Sequence, residues 1–161
     1  MMIVLGVGSA WGADYVITYT TNGTTYYLAR DNTSLERVTT FNPNTCIWTC
    51  YSSDKGRESE STLSSDNSRR LAQTVNGTKY YLTASRSNNK WTLSFTNSTN
   101  NAQVWRGNNS SLYARSGNNN GALNLSGTTP SITNNSTSGN NTYYTISSED
   151  IDDDSSNETN G

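Results

Sequence analysis

Histidine is absent from this chain of 161 residues, and phenylalanine, proline and cysteine occur only twice each. Without histidine there is no Ser-His-Asp or Cys-His arrangement to activate a nucleophile. Two thiols alone cannot complete a four-ligand Cys/His zinc site within one chain. Charged residues make up 15% of the chain and hydrophobic ones 31%. No apolar run after the first dozen residues approaches the roughly twenty residues that a membrane span needs. Acids are missing between Asn67 and Ser148. A glycosidase needs two facing carboxylates, and the body offers only Asp14, Asp31, Glu36, Asp54, Glu58, Glu60 and Asp66. A non-catalytic protein is expected, without cofactor or metal.

The apolar residues that are present gather in short runs with Tyr, Trp, Val, Ile and Thr, the residues that fit a pleated surface. One stretch occurs twice. Asn22-Gly-Thr-Thr-Tyr-Tyr-Leu-Ala29 returns as Asn76-Gly-Thr-Lys-Tyr-Tyr-Leu-Thr83, with a weaker echo at Asn109-Ser-Ser-Leu-Tyr-Ala-Arg115. Asn-Gly between β-prone runs is a strong hairpin signal, because the tight turn needs positive φ at both central residues. The spacing predicts strands at 15–21, 24–30, 35–41, 46–51, 69–75, 78–84, 90–96 and 102–106. Further strands are expected at 110–115, 122–126, 131–133 and 142–147. Asn42-Pro-Asn44 reads as a turn, and 52–68 as a long charged, Ser-rich loop with a short strand at 61–63. Segments such as 117–121 and 134–141 read as polar loops.

Residues 1–13 read as the apolar part of an export signal, with cleavage after Ala10 or before Asp14. A secreted, cell-surface or periplasmic protein is therefore expected. Residues 149–161 carry six acids and no base, which leaves the remainder at +4 against the chain's net −2. That end reads as a disordered acidic tail, and 14–148 as the single folded domain. The eleven bases are spread along the chain rather than clustered, so no nucleic-acid partner is expected. A monomer is expected. Cys46 and Cys50 would lie about 13 Å apart in one extended strand, too far for a disulfide. Either the segment turns and the two are bridged, or both thiols are buried beside Trp48.

Aligned on Leu28, Leu82 and Leu112, the chain divides into three units of three or four short strands, a pattern similar to a β-trefoil. Trp91-Thr-Leu-Ser-Phe-Thr-Asn-Ser-Thr-Asn-Asn-Ala-Gln-Val-Trp105 resembles a repeat of the ricin-type β-trefoil lectins, which end in Gln-x-Trp. Gln103-Val-Trp105 matches that ending, Cys46-Ile-Trp48 keeps the Trp, and the third unit has Tyr143 or Tyr144. The resemblance implies a sugar platform at Phe95 with Asn100 or Asn101, and its counterpart at Phe41 with Asn44. Ala29 and Thr83 stand where that family's repeats carry an Asp.

Apart from the resemblance, sugars present C–H faces that aromatics cover and hydroxyls that amides pair with. Tyr27, Tyr81 and Tyr113 recur once per unit on the face expected to point outward, and are further candidates. The leading expectation is a glycan- or polysaccharide-binding module. The alternative is a protein partner, as for a trefoil protease inhibitor or surface adhesin, held through the 52–68 segment.

Overall fold

Two Asn-Gly pairs set the first two hairpins of the computed structural model, which describes residues 13–54, 57–147 and 149–151. Asn22 and Gly23 have φ of 50° and 78°, and Asn76 and Gly77 have 51° and 82°. These are the left-handed values that a two-residue turn between twisted strands demands, and Asn and Gly adopt them at least cost. They join β1 (Asp14–Thr21) to β2 (Thr24–Asp31), and β6 (Arg70–Val75) to β7 (Thr78–Ser87). β3 (Ser34–Val38) pairs back on β2, and β8 (Lys90–Thr96) on β7.

A third hairpin lies where a loop is predicted. β10 (Ser111–Ser116) and β11 (Asn119–Asn124) meet at Gly117-Asn118, with Gly117 at φ 60°, and β12 (Ser131–Asn134) pairs with β11. Gly117 precedes Leu123 by six residues, as Asn22 precedes Leu28 and Asn76 precedes Leu82. Leu112, the residue chosen by sequence for that position, lies in the strand before the turn.

The strands form an all-β molecule around a nearly closed, barrel-like sheet. β1 pairs with β4 (Trp48–Asp54), and β4 with β6. Arg69 and Trp105 then exchange backbone bonds of 2.8 and 3.1 Å, joining the start of β6 to β9 (Trp105–Asn108). β9 pairs with β10, Tyr143 N donates to Ser110 O at 2.8 Å, and β13 (Thr142–Thr145) returns to β1. Along this seam Gly107 leaves the space that the Tyr143 ring fills, so a larger residue there would clash. β5 (Arg57–Glu60) extends β4 as a hairpin, where sequence placed a loop with a strand at 61–63.

Ile17, Leu28, Trp48, Cys50, Leu71, Leu82, Trp105, Leu112 and Leu123 form one buried cluster inside this wall. Two indoles bond in the same way: Trp48 Nε1 donates to Leu28 O at 3.1 Å, and Trp105 Nε1 donates to Leu82 O at 2.8 Å. These Trp begin β4 and β9, whereas β13 begins at Thr142. There the buried Asn141 amide donates to Leu123 O (2.7 Å) and Leu112 O (3.1 Å), while its carbonyl accepts from Leu112 N (2.7 Å). Both cysteines are free and buried. Burial pushes the Cys50 thiol up to about 12, so it stays protonated.

The segment predicted as an Asn42-Pro-Asn44 turn is a single helical turn, α1 (Pro43–Cys46). Asn42 caps it, its side-chain oxygen accepting from Asn44 N at 2.9 Å, with Pro43 at the first helical position. Cys46 thus ends a helix, and the strand begins at Trp48. Ala13 belongs to the fold, since its carbonyl accepts from Cys50 N at 2.7 Å. Ile151 is buried against Val16 and Ile146. The remaining residues of the expected signal (1–12) and acidic tail (152–161) lie outside the described residues.

Asn141→Ala should lower stability by about 3 kcal/mol, because it leaves several buried backbone groups without partners. Asn141→Leu should restore volume but not stability. Urea denaturation of the three proteins measures both.

Candidate functional site

The expected aromatic platforms sit mostly inside the molecule. Phe95 is only 6% exposed and lies among core residues, edge-on to Trp48 (5.5 Å) and tilted against Tyr80 (5.4 Å). Alternation along β8 turns it inward with Trp91 and Leu93, so neither of its faces is open to a sugar. Asn100 and Asn101 are exposed in the following turn, where Asn101 has φ 60° and its carbonyl accepts from Ala84 N at 3.1 Å. They shape the loop without an aromatic partner.

Tyr81 and Tyr113, expected to face outward, are 7% and 6% exposed. The 57–68 segment covers them. Tyr81 donates its hydroxyl to Glu58 at 2.8 Å, and Tyr113 donates to Ser65 O at 3.4 Å. Tyr27 and Phe41 pack together, ring centres 5.6 Å apart, and are half-buried on the small cluster of Val16, Ile146 and Ile151. Asn44, on α1, is exposed and set in a cleft wall. The structure therefore brings Tyr27, Phe41 and Asn44 to one end of the molecule and separates them from the other five.

Two openings flank α1. The larger is a groove of about 750 Å³ between the β2–β3 hairpin and the segment leading into the helix. The Asp31 and Glu36 carboxylates line it, with the Arg30 and Arg37 guanidiniums, Asn32, Asn42, Thr39, Thr40 and Thr45. Among the described residues, Val38 is the only apolar one in its wall. Arg37 is held in place, 3.8 Å over the Tyr26 ring and donating to Leu125 O at 2.9 Å. The smaller opening, of about 400 Å³, is lined by Asp14, Arg30, Pro43, Asn44, Ile47, Thr49, Gln73 and Thr74. Arg30 is common to both.

Sequence reasoning missed Arg30, Asp31, Glu36 and Gln73. A signal existed for Gln73. Period-two alternation places it on the same strand face as Leu71, and a polar residue on an apolar face marks a buried amide that needs partners.

The β4–β5 hairpin is tied to β6 and β7 through the Glu58 carboxylate. Glu58 accepts from Arg70 Nη1 (2.8 Å), Lys79 Nζ (2.6 Å) and Tyr81 (2.8 Å), and Lys79 lies 3.9 Å over the Tyr51 ring. Burial alone would push Glu58 up, but the bonds from Lys79, Arg70 and Tyr81 outweigh it and hold the carboxyl below its ordinary 4.5. Among the described residues no three His, Cys, Asp or Glu side chains gather as metal ligands, and no helix is long and apolar enough to cross a membrane. No protein-family model, no curated protein and no solved structure matches the chain.

Two outcomes follow. Phe95→Ala should cost about 3–5 kcal/mol by emptying a core site, readable as a fall in the denaturation midpoint. Glu58→Gln should weaken the β4–β5 hairpin by about 1–3 kcal/mol, seen as faster amide exchange in β5. Because the folded carboxyl titrates below its unfolded value, Glu58 stabilises above 4.5 and loses that contribution as pH falls through the lower folded value. The variant should therefore be less sensitive than the wild type to acid in that range.

Proposed function

We propose that the chain is an exported, non-catalytic β-trefoil that binds glycans. The trefoil reading groups β1–β4, β6–β9 and β10–β13 as three four-stranded units, with β5 as an insertion. Supporting it are the three hairpins with their turn six residues before Leu28, Leu82 and Leu123. The recurring bond to each of those leucine carbonyls supports it further. In this reading Asn141 serves the third unit as the two indoles serve the others.

The observation that carries the glycan reading is the groove of about 750 Å³ beside α1. Sugar hydroxyls both donate and accept. Asp31 and Glu36 supply acceptors, Arg30 and Arg37 supply forked donors, and the Thr and Asn groups supply both. The face of Tyr26 is taken by Arg37, so recognition rests on these polar groups rather than on stacking. An open groove suits a chain or branch of a polysaccharide better than a fully enclosed small molecule.

A protein partner is the second reading. It is favoured by the anchoring of the β4–β5 hairpin through Glu58, which presents exposed Arg57, Ser59 and Glu60 on a fixed edge strand.

The full chain should give selective hits on an array of plant, mucin and bacterial glycans. Asp31→Ala and Glu36→Ala should each lower affinity about tenfold or more, by removing charge-assisted bonds, with unfolding unchanged. A blank array from folded protein would overturn the reading. Partner capture lost on Arg57→Ala/Glu60→Ala would then favour the protein-binding one.

A further inference from the structure

We propose that the larger groove beside α1 takes a glycan that bears amines, such as an oligomer of N-deacetylated hexosamine. Asp31 and Glu36 in the groove set this preference for positive charge, together with the acidic run at 152–154. This inference rests on the carbohydrate reading and names one class of sugar for the same groove.

The groove holds two carboxylates and two guanidiniums that are not paired with one another. Among the described residues, ion pairs form only at Glu58, with Arg70 and Lys79. Arg37 instead gives Nη1 to the carbonyls of Leu125 (2.9 Å) and Ser126 (3.4 Å), and lies over the Tyr26 ring. Arg30 gives Nη2 to Asn44 O at 3.2 Å. Backbone carbonyls thus position both cations, and both carboxylates line the groove without a donor from the described residues. A carboxylate only accepts, and its strongest partner is a cationic donor. An ammonium offers three charged donors, whereas a sugar hydroxyl offers one neutral one.

The other end of the chain brings more negative charge to this region. Ile151 N donates to Ser147 O at 3.3 Å, and Ile146 N donates to Asp14 O at 3.0 Å. Asp14 lines the smaller opening, which shares Arg30 with the groove. Ile151 is buried with Val16 and Ile146, and Phe41 packs on that cluster. Phe41 stands in sequence between Thr40 and Asn42, both in the groove wall. Asp152, Asp153 and Asp154 follow Ile151 directly. Successive Cα atoms are about 3.8 Å apart, so Asp154 lies within about 11 Å of Ile151 whatever path the chain takes. That range is comparable to the screening length of about 8 Å at physiological salt. Three charges so close add to the potential at the openings without touching the ligand. The same field works against chains of uronic acids or sulfated sugars.

The test compares three ligands on the full chain by calorimetry, at mildly acidic pH where sugar amines are protonated. They are the glucosamine trisaccharide, its N-acetylated counterpart chitotriose, and trigalacturonate. The first should bind, chitotriose should bind about tenfold more weakly, and trigalacturonate should not bind. Raising the salt should weaken the first and leave chitotriose unchanged. Asp31→Asn and Glu36→Gln should each cost the glucosamine trisaccharide about tenfold. The triple variant Asp152→Asn/Asp153→Asn/Asp154→Asn should cost it about threefold at low salt and nothing at high salt.

Equal or tighter binding of chitotriose or trigalacturonate would overturn the amine assignment while leaving glycan binding intact. Unchanged affinity of the triple variant at low salt would overturn the part given to 152–154. Failure of the glucosamine trisaccharide to bind would overturn the assignment as well, and with a blank array would remove the glycan reading too. Trilysine bound in the same groove, with no saccharide bound, would move the assignment to a basic protein partner.

Discussion

A buried hydrogen-bond donor delivered to a leucine carbonyl is the constraint on which the fold turns. Trp48 supplies it to Leu28, Trp105 to Leu82, and Asn141 to Leu123. Each bond ties a hairpin strand to the start of a barrel strand twenty or so residues away. The indoles also fill volume at the centre of the cluster, which few other residues could do in a chain with only two Phe. Asn141 cannot fill that volume. It compensates with three bonds to two backbones, a polar solution to the same requirement. Since each hairpin is fixed in this way, its outer strand has a defined position, and the grooves beside β2 and β3 inherit that position.

The same reasoning explains why the openings lie around α1. The last carbonyls of any helix lack intrahelical partners. Here Asn44 O is taken by Arg30 from β2, and Thr45 O by Gln73 from β6. One helical turn is thus pinned to two strands that are not neighbours in the sheet. Each pinning side chain also keeps one buried polar atom without a partner among the described residues, Arg30 Nε and Gln73 Oε1. A structural need, the capping of a short helix, thus fixes where both side chains sit.

Much of the strand layout was legible because turn chemistry and period-two alternation are local. Asn22-Gly23 and Asn76-Gly77 dictate their hairpins regardless of context, and Lys90–Thr96 alternates cleanly. The third hairpin was displaced because Asn109-Ser110 also has positive φ and carries the more familiar residue order, while Gly117-Asn118 sits inside a run of Asn and Gly. The covering of Tyr81 and Tyr113 was not legible. A charged, Ser-rich run reads as solvated loop, and nothing local says that Glu58 will meet donors 12, 21 and 23 residues further on. The candidate site suffered most, because it depends on partnerships across the fold. Asn44 was found through a motif, whereas Arg30 and Gln73 matter only through which of their atoms are already engaged.

Abundant asparagine has two separable roles here. Of the nine non-glycine residues with positive φ among those described, eight are Asn and the ninth is Ser110. Asn tolerates the left-handed region better than other side-chain-bearing residues. Its frequency in the loops therefore follows from many tight turns between short strands and carries no message about a ligand. Recognition must then be sought in polar groups that the turns do not explain. Asp31 and Glu36 lie at an open groove, and Arg30 and Gln73 are half-engaged in a cleft. All four line the openings beside α1, so the polar groups on which the proposed glycan reading rests gather around that one helical turn.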